Sequence, residues 1–232
     1  VDHGGRIAQA LDETAAQSGR GFQEEMLEKL REVRPLGTPA KIENRGAGAE
    51  LVEKASQLYP DDWTRKADQF GPLKVKARKN TRGWAATLPD ESSYGQVRLP
   101  EFGVVDYQPN AGYIMVPTGE LSVAVHEYGH RLQAALPELD AIFAELHRRR
   151  TAGDPLRRLM EWYPGYRPSE VTREDKYFNP YQGKEYDGQP LEILTMAFEW
   201  VLGSDRATFE EFRRTDPEML KLVIGLLFHF KP

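Results

Sequence analysis

The chain contains no cysteine. Disulfides, thiol nucleophiles and thiolate ligands are thereby excluded, and any bound metal has to be held by nitrogen and oxygen. There is no surplus of positive charge either: 31 Lys and Arg stand against 36 Asp and Glu, a net charge of −5. Nothing therefore draws the chain electrostatically to nucleic acid or to an anionic membrane, and neither is expected as a partner. Long apolar runs are missing too. The longest, Leu222 to Phe230, is broken by Gly225 and His229 and falls well short of the ~20 residues that span a bilayer. Val1 to Gly5 are small and polar, without the charged-then-apolar pattern of a secretory signal. The expectation is a soluble chain, cytoplasmic or delivered as a secreted or translocated effector, with its oligomeric state left open.

What is present is ordinary for a globular protein: 232 residues, 40% hydrophobic and 29% charged, enough for one good core with a small helical appendage. Residues 1–58 read as a helical N-terminal segment, a prodomain, a recognition arm or part of the core. Phe22, Met26, Leu27, Leu30 and Val33 recur at helical spacing before Pro35 and Gly37, and Leu51, Ala55 and Leu58 mark a short helix before Pro60. The character then changes. Leu73 to Arg78 alternates apolar and polar, the period of a half-buried strand. Trp84 to Leu88, Val97 to Leu99 and Tyr113 to Val116 are short β-type runs between turn residues. Thr118 or Gly119 can cap a helix through Leu121, Val123, Val125 and Leu132, with Pro137 as its end. A further helix carries Leu139, Ile142, Phe143 and Leu146 and closes on His147 to Arg150, where basic residues suit the dipole. Residues 153–190 suggest loops with a hairpin. Pro190 opens a helix from Leu191 to Leu202. The last helix, Pro217 to Phe230, is apolar nearly all round, hence buried or covering a partner. The fold class these patterns imply is α+β, with residues 59–232 forming the main domain around a small mixed sheet.

The pattern that carries chemistry is His126–Glu127–Tyr128–Gly129–His130. Histidines four apart on a helix project from one face on successive turns, where both imidazoles can reach one tetrahedral ion. The glutamate beside the first histidine is placed to take a proton from a water that zinc acidifies. His126 and His130 are therefore candidate metal ligands, Zn2+ the candidate ion, and Glu127 the candidate general base. The strand-like run ending at Val116 stands where an edge strand near the metal helix would pair with an extended substrate. The bland alternative is two histidines sharing a helix face by accident. One feature is out of pattern: Arg131 directly follows the second histidine.

A zinc site of this kind needs a third protein ligand and one open position. Gln133 and Leu136 occupy the nearby positions where a third histidine would fall, and His147 sits among arginines. Glu192, in the first turn of the helix after Pro190, fits better, because a carboxylate on an otherwise apolar helix is costly to bury unless it is paired or ligates a metal. Its alternative role is to favour the helix dipole. Glu199, one further helical repeat on, is the runner-up ligand or a hydrogen-bond acceptor for a histidine, with Glu161 and Glu145 behind it. Amide hydrolysis also needs a donor for the developing oxyanion. Tyr186, six residues before Glu192, is the first choice and Tyr181 the second, with packing as the alternative for both.

The quintet His126 to His130, together with Gly183–Lys184–Glu185–Tyr186 and Leu191–Glu192–Ile193–Leu194–Thr195–Met196, resembles a zincin metallopeptidase domain found in phage minor-head-associated proteins and bacterial polymorphic toxins. Tyr59–Pro60–Asp61–Asp62–Trp63 and Arg82–Gly83–Trp84 are similar as well, so the likeness covers residues 59 to 203. The arrangement is also similar to the catalytic domain of anthrax lethal factor, in which a tyrosine shortly precedes the third-ligand glutamate. The resemblance implies a gluzincin-type site with Glu192 as ligand and Tyr186 near the substrate carbonyl. Where lethal factor carries an acid one turn after its ligand glutamate, this chain has Met196, and the next acid is Glu199. The implied activity is a zinc-dependent endopeptidase acting on a protein or peptide, as a toxin, effector or phage-associated protease. The alternatives are a catalytically silent structural or binding module that keeps the fold, and a zinc hydrolase of a non-peptide amide.

Overall fold

The alternation of Leu73–Arg78 is realised as strand β1 over those same residues, with Leu73 and Val75 buried. The computed structural model describes residues 3–90, 95–173, 177–185 and 192–232. Contacts divide the chain into two compact units, one of Val1–Pro35 with Pro137–Lys231 and one of Leu36–Leu136. The architecture is mixed α+β with small sheets, and no helix among the described residues is long and apolar enough to cross a membrane.

The Leu36–Leu136 unit carries the histidine motif. It runs α3 (Ala47–Ser56), α4 (Asp61–Phe70), β1, β2 (Trp84–Thr87), β3 (Gln96–Leu99), β4 (Gly103–Asp106), β5 (Gly112–Pro117) and α5 (Leu121–Ala135). The main sheet has the order β1-β5-β2, β1 pairing parallel to β5 and β2 antiparallel to it. This corrects one expectation: the Tyr113–Val116 run is the central strand, buried along its whole length, and the edge strand beside the motif helix is β2. A strand hydrogen-bonded on both sides and buried on both faces favours a continuous apolar run, and Tyr-Ile-Met-Val supplies it. β3 and β4 form a separate antiparallel ribbon. Val97, Leu99, Phe102 and Val105 from this ribbon pack with Trp84 onto Leu88, Ala111 and Tyr113. The reversal at its tip uses Glu101 at φ 57° and Gly103 at φ 76°.

Helices cover the sheet. Gly48 brings α3 so close to β1 that a Cβ there would stand 2.7 Å from the Lys76 carbonyl carbon. Tyr59, fully buried, donates its hydroxyl to the Val125 carbonyl at 3.0 Å and packs against Tyr128 and Trp63, which ties the segment before α4 to α5. Neither Thr118 nor Gly119 caps α5. Glu120 holds the N-cap position, and Gly119 takes a left-handed turn at φ 85°. The helix is held by its buried contacts, with Ala124, Val125, Tyr128 and Leu132 all at 0% exposure, rather than by a cap.

The other unit holds α1 (His3–Ser18), α2 (Phe22–Val33), α6 (Pro137–Arg150), β6 (Leu156–Arg158), β7 (Val171–Arg173), β8 (Lys184–Glu185), α7 (Glu192–Phe198), α8 (Arg206–Thr215) and α9 (Pro217–His229). The stretch expected to hold a hairpin forms a three-stranded antiparallel sheet, β6-β7-β8. The helix expected to run to Leu202 is α-helical only to Phe198 and continues as a π turn, Glu199–Gly203. The apolar α9 is a core element of this unit: Met219, Leu220, Val223, Ile224, Leu226 and Leu227 are buried. Gly4 of α1 and Gly225 of α9 meet where the two helices touch. Asp216 accepts from the Met219 amide at 3.1 Å as the cap of α9, and receives Arg150 Nη1 at 2.8 Å.

Candidate metal centre

His126, Glu127 and His130 all lie on α5, the first two within a buried stretch from Ala124 to Gly129 and His130 half-buried directly after it. The four-residue spacing does what helical geometry requires: the two imidazoles stand edge to face with ring centroids 5.1 Å apart. His126 is 9% and Glu127 5% exposed. His130 Nδ1 lies 2.7 Å from Gln133 Oε1. A carbonyl-type oxygen on Nδ1 holds the proton there, which makes Nε2 the nitrogen with the lone pair for a metal. Gln133, weighed in the sequence only as a position lacking histidine, is thus an orienting group. Its signal was the i+3 spacing from His130.

Arg131, the residue out of pattern, is 2% exposed. Its guanidinium donates to the carbonyls of Asn110 (2.7 Å), Ala67 (3.1 Å) and Gly71 (2.5 Å) and covers the Phe70 ring at 5.1 Å. It thereby clamps α5 to the end of α4 and the entrance of β5. Burial lowers its pKa to about 10, so it is a cation at neutral pH, with its charge spread over three peptide oxygens. The backbone before β2 closes on the general-base candidate: a Cβ at Gly83 would meet Glu127 and Val123.

Glu192 is the first residue of α7 and 3% exposed. Its Oε1 accepts the Tyr181 hydroxyl at 2.7 Å, and Thr195 Oγ1 lies 3.4 Å from its Oε2. Tyr181 sits in a 3-10 turn, Pro180–Gly183, that Asn179 caps by accepting from the Tyr181 amide at 2.9 Å. Its ring packs 5.5 Å from Tyr166, with the Lys184 ammonium 4.9 Å from its centroid. Lys184 is itself buried and paired with Glu170 at 2.9 Å. Tyr181, the second choice among the tyrosines, is therefore the one found on Glu192. Tyr186, the first choice, lies outside the described residues.

One ligand atom from each of His126, His130 and Glu192 lies within 4.8 Å of the other two, the one such group among the described residues. The remaining candidates are placed elsewhere. Glu199 begins the π turn after α7 and is not in the group. Glu145 pairs with Arg148 and Glu161 with Arg157, both exposed. His147 is buried between the Tyr177 hydroxyl (2.8 Å) and Glu185 (3.2 Å). Two imidazoles and one carboxylate, with no sulfur, are a donor set that suits Zn2+ and would leave a position open for water or substrate. Compared with protein families, curated proteins and solved structures, the chain matches none.

Proposed function

We propose that the chain is a zinc-dependent endopeptidase with a zincin-like, gluzincin-type centre, in which His126, His130 and Glu192 hold the ion. The observation that carries this reading is the convergence of those three ligand atoms within 4.8 Å. Zinc in a set of two histidines and a carboxylate is a Lewis acid that acidifies water and polarises an amide carbonyl.

The chain's own residues have distinct parts in this reading. Glu127, next to a ligand and almost wholly buried, accepts a proton from the attacking water and returns it to the leaving amine. Gln133 keeps the His130 proton on Nδ1. Tyr181 keeps the Glu192 carboxylate from rotating. β2 is an edge strand of the main sheet beside α5, a place for a peptide substrate to add as a strand.

The test joins metal analysis to cleavage. Purified protein is expected to carry about one zinc per chain, as a single site of this kind requires, and to lose it in His126→Ala. Glu127→Ala is expected to keep the metal and the fold while proteolysis, read by a proteome-wide cleavage screen against wild type, disappears. Cleavage by Glu127→Ala at the wild-type rate would remove the catalytic assignment.

A further inference from the structure

Gly83 immediately precedes β2, the edge strand that pairs antiparallel with β5 from Trp84↔Met115 onward. It is not one of the glycines with positive φ, so the backbone conformation does not demand glycine there. Space does. A Cβ built on Gly83 would fall inside van der Waals distance of Glu127 Oε1, 3.0 Å from Glu127 Cδ and 2.6 Å from Val123 Cγ1. Val123 and Glu127 are one helical turn apart on α5 and present the same face. The Cα hydrogen of Gly83 is the one substituent that fits between the strand and the carboxylate.

We propose that Gly83 is a positioning residue for Glu127: its missing side chain lets the β2 backbone close on the carboxylate and hold it in one place. The role rests on the peptidase reading above, and the steric claim stands apart from it. The carboxylate is the end of a flexible side chain, whereas Gly83 adjoins Trp84, where the ladder to β5 begins. Any added side chain therefore moves the base rather than the strand. An ordinary C···O contact is about 3.3 Å or more, so a methyl group at position 83 displaces Oε1 by about 1 Å. A displacement of that size in a reacting group costs roughly 100-fold in rate. The three atoms nearest the built Cβ belong to Glu127 and Val123 and none to a histidine, so zinc affinity is expected to stay unchanged.

The experiment uses the full chain as wild type and as Gly83→Ala. Three readouts are taken: zinc affinity by chelator competition, kcat and KM on fluorescein-labelled casein, and the 13C resonance of the Glu127 carboxyl, assigned by its loss in Glu127→Gln. The expected result is a roughly 100-fold fall in kcat with KM and zinc affinity unchanged, and a displaced Glu127 carboxyl resonance. A kcat within twofold of wild type, an unmoved resonance, or zinc affinity falling in step with kcat overturns the proposal. If the Val123 contact keeps Gly83→Ala from folding, Gly83→Ala/Val123→Ala removes that neighbour and leaves Glu127 as the group in the way, with the same outcomes expected. If wild type neither binds zinc nor cleaves casein, the peptidase reading fails, and the carboxyl resonance still decides whether Gly83 sets the position of Glu127.

Discussion

Replacing Tyr181 by Phe removes one oxygen and little else. The ring keeps its packing against Tyr166 and beneath Lys184, and what Glu192 loses is the 2.7 Å hydrogen bond to its Oε1. A carboxylate that ligates a metal is deprotonated, so an O–H donor on the buried Glu192 makes a charge-assisted bond, worth about 1.5–3 kcal/mol. Removing a group that orients a metal ligand costs roughly 10–100-fold in metal affinity, which is about 1.4–2.8 kcal/mol. The two magnitudes agree, so Tyr181→Phe should weaken zinc binding by one to two decades. The assay is chelator-competition titration at neutral pH, with circular dichroism to verify the fold. Zinc affinity within a factor of two or three of wild type, or raised, would refute the reasoning. If unchanged affinity came with a large fall in kcat, the hydroxyl would be acting on the substrate oxyanion instead.

Three other outcomes follow from groups that are not themselves metal-ligand candidates. Asp216→Asn leaves Arg150 buried without its anion, and breaking such a pair costs about 3–5 kcal/mol; the denaturation midpoint in urea should fall accordingly, and an unchanged midpoint would show the pair to be of no consequence. Burial pushes the Tyr128 phenol above its ordinary value of 10.0. Above that pH the unfolded chain loses this proton while the native state keeps it, so the native state binds more protons and stability falls as pH rises; Tyr128→Phe should flatten the alkaline limb of the stability profile, and an identical limb would count against the assignment. Gly4→Ala drives a methyl group into the Lys221 carbonyl oxygen of α9; a loss of about 1–3 kcal/mol, as for other overpacked contacts, should show as a lower Tm and faster proteolysis within α1.

Some of the fold was legible because it depends on neighbours in sequence. The alternation of Leu73–Arg78 became β1 without a shift of register, and basic residues closed α6 where the dipole favours them. Other elements lacked a local signal. β4 is four residues long and exists only through its pairing with β3. α4 opens on two aspartates after Pro60 and buries only Trp63, Thr64 and Ala67, too sparse a stripe to read as periodicity. An apolar run such as Tyr113–Val116 states that a strand is buried and says nothing of which strands flank it.

The candidate site divides in the same way. The placing of His126 and His130 on one face of one helix was determined by the sequence itself, since 3.6 residues per turn makes i and i+4 neighbours. Tyr181 on Glu192, the carbonyls that receive Arg131 and the approach of Gly83 to Glu127 were decided by the tertiary structure alone. Those contacts span 11 residues for Tyr181 and 21 to 64 for Arg131. Contacts at such separations are fixed by how sheet, turn and helix pack, and no periodicity in the chain encodes them.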